Sequence, residues 1–600
     1  MSQSNQQITI RANALNKKLM PQLGGNPAYD ELWITCGEEG EPPTYGGGAI
    51  WSRVELPFSQ YFGKRDITLD SSSPENFEEA RGWIKACHNH KQCGTLAPVP
   101  LPKRVVNVGT QDSKAAYLEL GDGKVGQYLT LSYCWGSSPG ITTTFDTLDE
   151  HLRQLPVERL PTTLSDAIHI TRELGFQYLW IDAFCILQSR FSGDQEAIAD
   201  WQDQCSKMAD IYGNAFLTIA ASGGKDKSEG CFLPRSPDSL ICQIPLTDDP
   251  SIGFVYARPP VRPTQYIKQP LDDRAWTFQE ASLSRRLLQY GTDEISYLCQ
   301  TSSFFESGDY SSHYSPTRIS FRGPQLFAIQ TKETDKRQRA LMNWYRSIES
   351  EFCGRLLTND SDMLPALSGV AHRFQPLIDG MYHAGLWETD LLRGLLWKCR
   401  NVIPNGKGIY LTEPSSYRAP SWSWASLNGS IYYGNSEARN RGWKKEEEKS
   451  PTKILEIKTT LVGPAFDPMG QVSDGFIKIN APVKKAVVVS KTDNDYKTSF
   501  TDSKGVVNKF MPKINHQLLV GEEVTIKSDP ESVGAFGHFD IEKLPAVTLT
   551  CLLLTAKEGL MLVPVSGQPE KYKRYKKKLA CRRPALYSKP PHEVLRDVVI

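Results

Sequence analysis

The chain has 600 residues, more than one hydrophobic core serves, and its length predicts roughly three to four domains. Its residues are 40% hydrophobic and 23% charged, which excludes a disordered chain. Lys and Arg number 69 against 68 Asp and Glu, so no global field draws nucleic acid or anionic lipid to it. The one basic run, at 571–578 (KYKRYKKK), reads as solvated surface.

In chain order, residues 1–81 are rich in Gly, Pro, Ser and Asn, with short strand-like runs such as 49–56. Gly46, Gly47 and Gly48 read as a flexible turn, because nothing phosphate-binding follows them. Short strands are expected at 105–108 and 115–120, and an alternating aromatic strand at 128–134 that ends in Trp135-Gly136. A helix begins near Thr163, which can cap it, with Asp166 three positions on and Gly175 as its stop. The apolar run 178–184 predicts a strand covered on both faces. A helix at 195–212 presents Ile198, Trp201, Cys205, Met208 and Ile211 or Tyr212 inward, and 215–221 is another buried strand. Strands alternating with helices at these lengths imply right-handed crossovers and a parallel sheet. Two strand-like runs within 240–258 look like an insertion. A short helix at 274–283 and strands at 287–290 and 295–299 follow. Helical periodicity marks 336–352, 362–374 and 383–397, and the chain after Trp424 is strand-rich. The expected division is an N-terminal region 1–103, an α/β core 104–300, a helical region 301–430 and a β-rich region 431–600.

The N-terminus lacks the blocks of a secretory leader. The longest apolar stretch, 546–556, is too short to span a bilayer. Thirteen scattered cysteines fit reduced thiols, so a cytoplasmic protein without a membrane span is expected.

Four segments share one order and spacing: YLTLSYCWG (128–136), LWIDAFCILQ (179–188), IYGNAFLTIAAS (211–222) and RAWTFQEASLSRR (274–286). Together they resemble the fungal heterokaryon-incompatibility (HET) domain. LPALSGVA (364–371), GLWETDLLRGLLW (385–397) and RAPSWSWAS (418–426) resemble the flanks of long HET proteins. The family's second motif usually reads D-x-L-C-I-N-Q, whereas Leu187 stands here in place of Asn. HET domains in turn resemble TIR domains: Leu131-Ser132-Tyr133 echoes the first TIR strand, and Glu280 follows Trp276 at the spacing of the glutamate in TIR domains that cleave NAD. The resemblance implies an α/β fold with a TIR-like parallel-sheet HET core, a helical region and a β-rich C-terminal part. It also implies an effector of incompatibility and programmed cell death, with NAD as substrate and no required cofactor. The alternatives are a non-enzymatic module that works by self-association or with a protein recognition partner, and an enzyme of specialised metabolism on a HET scaffold.

On this reading Glu280 is the catalytic carboxylate, since cleaving a ribose–nicotinamide bond passes through an oxocarbenium-like cation. An exposed glutamate near a helix start is the competing reading. Ser132, Tyr133 and Trp135 end a strand at the edge where open α/β sheets bind ligands. The hydroxyl-rich loop from Gly136 to 144 offers amides to a phosphate, and Trp135 offers a stacking face. Core packing of Tyr133 and Trp135 is the plain alternative. Asp182, inside an apolar run, needs a partner; Arg274 is the first choice and a ligand ribose the second. Trp276 completes the binding set. Cys134 and Cys185 read as inert buried thiols. Cys87, His90 and Cys93 show C-x2-H-x2-C spacing, one ligand short of zinc's four, and a plain helix-end cluster competes with a metal there.

Overall fold

A computed structural model describes residues 67–94, 97–110, 115–138, 140–235, 268–307, 323–327, 336–399, 412–433, 450, 452–462 and 467–481, together with backbone strands elsewhere. The chain divides into two compact units, Met1–Ala328 and Ile329–Ile600.

The first unit is built on an eight-stranded sheet. Its strands are β1 (Arg104–Asn107), β2 (Tyr117–Leu120), β3 (Tyr128–Ser132), β4 (Tyr178–Trp180), β5 (Leu217–Ala220), β6 (Arg286–Tyr290), β7 (Ile295–Cys299) and β8 (Ser303–Phe305). Their spatial order is β8-β7-β6-β5-β3-β4-β1-β2. Only the central four, β6, β5, β3 and β4, run parallel. Antiparallel pairs flank them on both sides. The expectation of a parallel sheet therefore holds at the centre and fails at the edges. There, β6–β7, β7–β8 and β1–β2 join strands too close in sequence for a helical crossover, so they pair as hairpins, while β1 and β4, far apart in the chain, also pair antiparallel.

Four helices matter to the core: α1 (Pro74–His88), α2 (Thr162–Glu173), α3 (Gln195–Asn214) and α4 (Ala275–Leu283). Helix α1 starts on Ser73, whose side chain accepts from the Asn76 amide, with Pro74 in the first turn. Its Phe77, Ala80, Trp83 and Cys87 join the core of the sheet. Helix α2 starts after Pro161 with no side-chain cap. Thr163 and Asp166 instead accept the Gly230 and Cys231 amides, at 3.1 and 2.8 Å.

Helix α3 departs from its expected stripe. Ala197, Asp200 and Gln204 are buried together with Met208, Ile211 and Tyr212. Ile198 and Trp201 face outward, at 36% and 41% exposure, and Cys205 is half-buried. The helix turned Asp200 inward because a cation waits there. Arg104 at the start of β1 pairs with Asp200, and Lys103 reaches its other oxygen at 2.8 Å.

The run expected as a strand over 178–184 stops at Trp180. Asp182–Cys185 is one helical turn. Gly46–Gly48 lie within a strand, Thr44–Trp51, opposite Leu32, Trp33 and Ile34, and not in a turn. That strand also pairs with Phe254–Arg258, so the expected insertion extends a separate five-stranded sheet.

In the second unit, helix Lys336–Ser347 runs into a π-helical turn, Ile348–Phe352, and helix Pro365–Ile378 follows. The segment expected as a helix over 383–397 opens as a small hairpin, Tyr382–His383 with Leu386–Trp387, and is helical only over Glu388–Asp390 and Leu391–Gly394. Its Gly385 (φ +94°) lies against Trp424, with no room for a Cβ. In RAPSWSWAS, the buried Arg418 donates to the Ala425 and Leu427 carbonyls, at 2.6 and 2.7 Å, and Trp422 and Trp424 are core. The β-rich remainder centres on Val472–Val489, paired with Lys453–Leu461 and with later strands. No helix among the described residues is long and apolar enough to cross a membrane. Cys87, Cys93, Cys134, Cys185, Cys205, Cys231, Cys299 and Cys353 are free of disulfides.

Candidate functional site

Strand β3 and helix α4 carry the two ends of the site. Ser132, the last residue of β3, donates its hydroxyl to the Glu280 carboxylate on α4. Glu280 is the sixth residue of that nine-residue helix and only 7% exposed, so it is not an exposed helix-start glutamate. Burial pushes its carboxyl up to about 7; the Ser132 hydroxyl opposes this and the nearby charge of Asp182 adds to it. Tyr212 of α3, which donates to the Leu131 carbonyl at 3.0 Å, closes the inner side.

An outer layer follows. Tyr133 is buried and stacks on the half-buried Trp135. Trp135 Nε1 donates to Asp182 Oδ2 at 2.7 Å, and the Ala183 amide donates to Oδ1 at 2.7 Å. Burial raises the Asp182 carboxyl, against the pull of the Trp135 bond and of Arg274. Arg274, just before α4, donates to the Tyr133 carbonyl at 2.7 Å. It therefore touches the Trp135–Asp182 arm through backbone, and acts on Asp182 through its charge. The Tyr133 hydroxyl is buried and faces the Asp182 carboxylate; burial, with that charge, pushes the phenol well up. Trp276, one turn before Glu280, packs edge-to-face on Trp201 of α3. The structure thus joins Ser132, Tyr133, Trp135, Asp182, Arg274 and Glu280 in one cluster at the carboxyl end of the parallel strands. Tyr133 also belongs to the hydrophobic core, as its plain reading held.

The loop after Trp135 differs from expectation. Gly136 has φ +62°, and the Ser137 and Ser138 amides both donate to Asp226 Oδ2, at 2.8 and 3.0 Å. The amides expected to cradle a phosphate already hold the chain's own carboxylate. Lys227 beside it donates to the Trp135 carbonyl at 3.1 Å and lies 5.8 Å from the centre of the Trp135 ring. Asp226 and Lys227 escaped the sequence reading because no local spacing links them to β3, only the return of the chain from β5; Tyr212 was read as an inward helix residue and not as part of the site.

Burial raises Cys134 to about 11 and Cys185 to about 12, the reverse of nucleophile activation. Leu187, at the departure from the family motif, is buried, and its backbone amide donates to Asp200 at 2.9 Å. The chain's Cys87, His90 and Cys93 are joined in space by Cys299 of β7.

Residues 128–280 match the family model described as Heterokaryon incompatibility protein (HET). The chain carries a HET domain. The match opens on β3 and closes on Glu280, so the HET domain spans both partners of the Ser132–Glu280 hydrogen bond. No curated protein and no solved structure matches the chain.

Proposed function

We propose that this HET-domain protein acts in heterokaryon incompatibility and cell death, and that the Glu280 cluster is its chemical centre, hydrolysing NAD in a reducing, cytoplasmic compartment. The observation that carries this reading is Glu280 itself: a buried carboxyl held near neutral pH, hydrogen-bonded to the last residue of a central parallel strand. Strongly perturbed acids cluster at functional sites, and open α/β sheets bind their ligands at this edge. The remote likeness to TIR domains, carried by Leu131-Ser132-Tyr133 and the Trp276 to Glu280 spacing, supports the choice of NAD.

In the proposed reaction the bond between ribose C1 and the nicotinamide nitrogen breaks and its electron pair leaves with neutral nicotinamide. Water adds to C1 and one proton is released, giving ADP-ribose. Ionised Glu280 stabilises the ribosyl cation or holds a ribose hydroxyl. Trp135 offers a stacking face, and the Tyr133 hydroxyl beside Asp182 offers a polar contact to the ribose. No resident cofactor enters.

The test is nicotinamide release from NAD by the purified full-length protein. Wild type should turn over, and Glu280→Gln should lose on the order of a hundred- to a thousandfold in rate. Wild-type protein that is inert even when concentrated, or a Glu280→Gln variant as fast as wild type, overturns the hydrolase reading. Inert wild type would favour self-association.

A further inference from the structure

Outside the HET match lies a second constellation. Cys87 lies in the last turn of α1, His90 and Cys93 follow in the turn after it, and Cys299 ends β7. The three sulfurs and one imidazole nitrogen all lie within 4.8 Å of one another. We propose that Cys87, His90, Cys93 and Cys299 bind one zinc ion as a closed structural site.

The geometry is close to what zinc needs. Tetrahedral Zn–S bonds of about 2.3 Å put sulfurs roughly 3.8 Å apart, so a contraction of about an ångström completes the shell. Cys299 Sγ and His90 Nδ1 are already 3.4 Å apart. The turn is wrapped for the purpose: the His90 amide donates to the Cys87 carbonyl, and the Cys93 and Gly94 amides both donate to the His90 carbonyl, at 3.0, 3.1 and 2.9 Å. The imidazole is held on its far side. Its Nε2 lies 3.4 Å from Ser302 Oγ, and its ring stacks on Phe304. Such outer partners orient a ligating histidine and leave the other nitrogen for the metal.

Charge supplies an independent argument. Arg286 is fully buried. Its Nε donates to Cys87 Sγ at 3.4 Å, and its other donors reach only the carbonyls of Phe216, Cys93 and Gly94. No carboxylate pairs with it among the described residues. A buried guanidinium without a counter-ion is strongly disfavoured. Zinc with three thiolates and a neutral imidazole carries a net charge of −1, which would balance Arg286. The Ser302 amide also donates to Cys299 Sγ, at 3.2 Å, as suits a thiolate acceptor. Soft sulfur ligands select zinc over magnesium or calcium. Four protein ligands leave no open position, so the ion would staple α1 to the β7 end of the sheet.

Elemental analysis of full-length protein, purified without a metal-affinity step, should find about one zinc per chain. Exchange for Co(II) should give sulfur-to-cobalt charge-transfer bands and the intense visible bands of a tetrahedral site. Cys93→Ser and Cys299→Ser should drop zinc to background. His90→Cys should keep it, with a stronger charge-transfer band, and Cys205→Ser should leave it unchanged. Should the serine variants fail to fold, the wild-type zinc content and cobalt spectrum decide alone. Wild type that stays zinc-free after supplementation, a disulfide among Cys87, Cys93 and Cys299, or zinc undiminished in soluble Cys93 and Cys299 variants would each overturn the assignment.

Discussion

Glu280 shows how one side chain links stability to chemistry. Its carboxyl titrates near 7 when folded, against an ordinary value of 4.5, because burial disfavours the charged form. Between those pH values the folded chain holds a proton that the unfolded chain has released. Its stabilising contribution is complete below about 4.5 and is lost as pH rises through about 7. The span corresponds to roughly 3 kcal/mol. Glu280→Gln cannot ionise, so it should gain stability relative to wild type at pH 8 and little at pH 5. Denaturant melts at the two values check this, and equal differences at both would refute it. Turnover has the opposite dependence: NAD cleavage should rise with pH through about 7 as the carboxylate forms, and the variant should lack that limb. The spacing to Trp276 singled Glu280 out in the sequence. Its burial was not legible there, because the polar Thr277, Gln279, Glu280 and Ser282 are all buried while Trp276, Ala281 and Leu283 are the partly exposed positions of α4, so polarity does not reveal which side meets β3.

At the scale of elements, two junctions carry the site. Helix α3, β1 and the turn after Asp182 meet on Asp200. Burial alone would raise its carboxyl, yet bonds from Arg104, the Leu187 amide and Lys103 bring it down to about 2. Asp200→Asn leaves Arg104 buried without its counter-ion and should cost about 3–5 kcal/mol by thermal or chemical melt at pH 7. Lys103→Ala, at a half-exposed side chain, should cost under about 1 kcal/mol. Because the folded value is depressed, roughly 2 kcal/mol of wild-type stability should vanish as pH falls from about 4 through 2. The second junction is the turn after Trp135. A Cβ at Gly136 would lie 1.8 Å from Asp226 Oδ2, in a backbone conformation that side chains rarely adopt. Gly136→Ala should cost roughly 1–3 kcal/mol from backbone strain alone, and more from the clash. Adding Asp226→Ala removes the clashing carboxylate, so the double variant should lose less than the two single losses combined; strict additivity in melts would show that the contact does not matter. The helical phase of α3 was misjudged from sequence because hydrophobicity was the only signal available. The inward Asp200 is explained by Arg104, which lies 96 residues earlier.

For the molecule as a whole, the compact unit Met1–Ala328 contains the eight-stranded sheet, the Glu280 cluster and all four proposed zinc ligands. Residues 1–328 expressed alone should therefore fold cooperatively and retain zinc. A fragment that is insoluble, or that melts without a transition, would show that the second unit is required. The sequence by itself determined the alternation of helices and strands, the parallel centre of the sheet and the HET motifs, because these rest on residues near one another in the chain. It also placed Ser132 near the end of its strand and Glu280 within a short helix. Only the tertiary structure decided that the sheet's edges are antiparallel, that Asp226 holds the Ser137 and Ser138 amides, and that Cys299 joins Cys87, His90 and Cys93. Each depends on which distant segments pack side by side, a choice made by burial and charge pairing across tens to hundreds of residues, and local spacing carries no record of it.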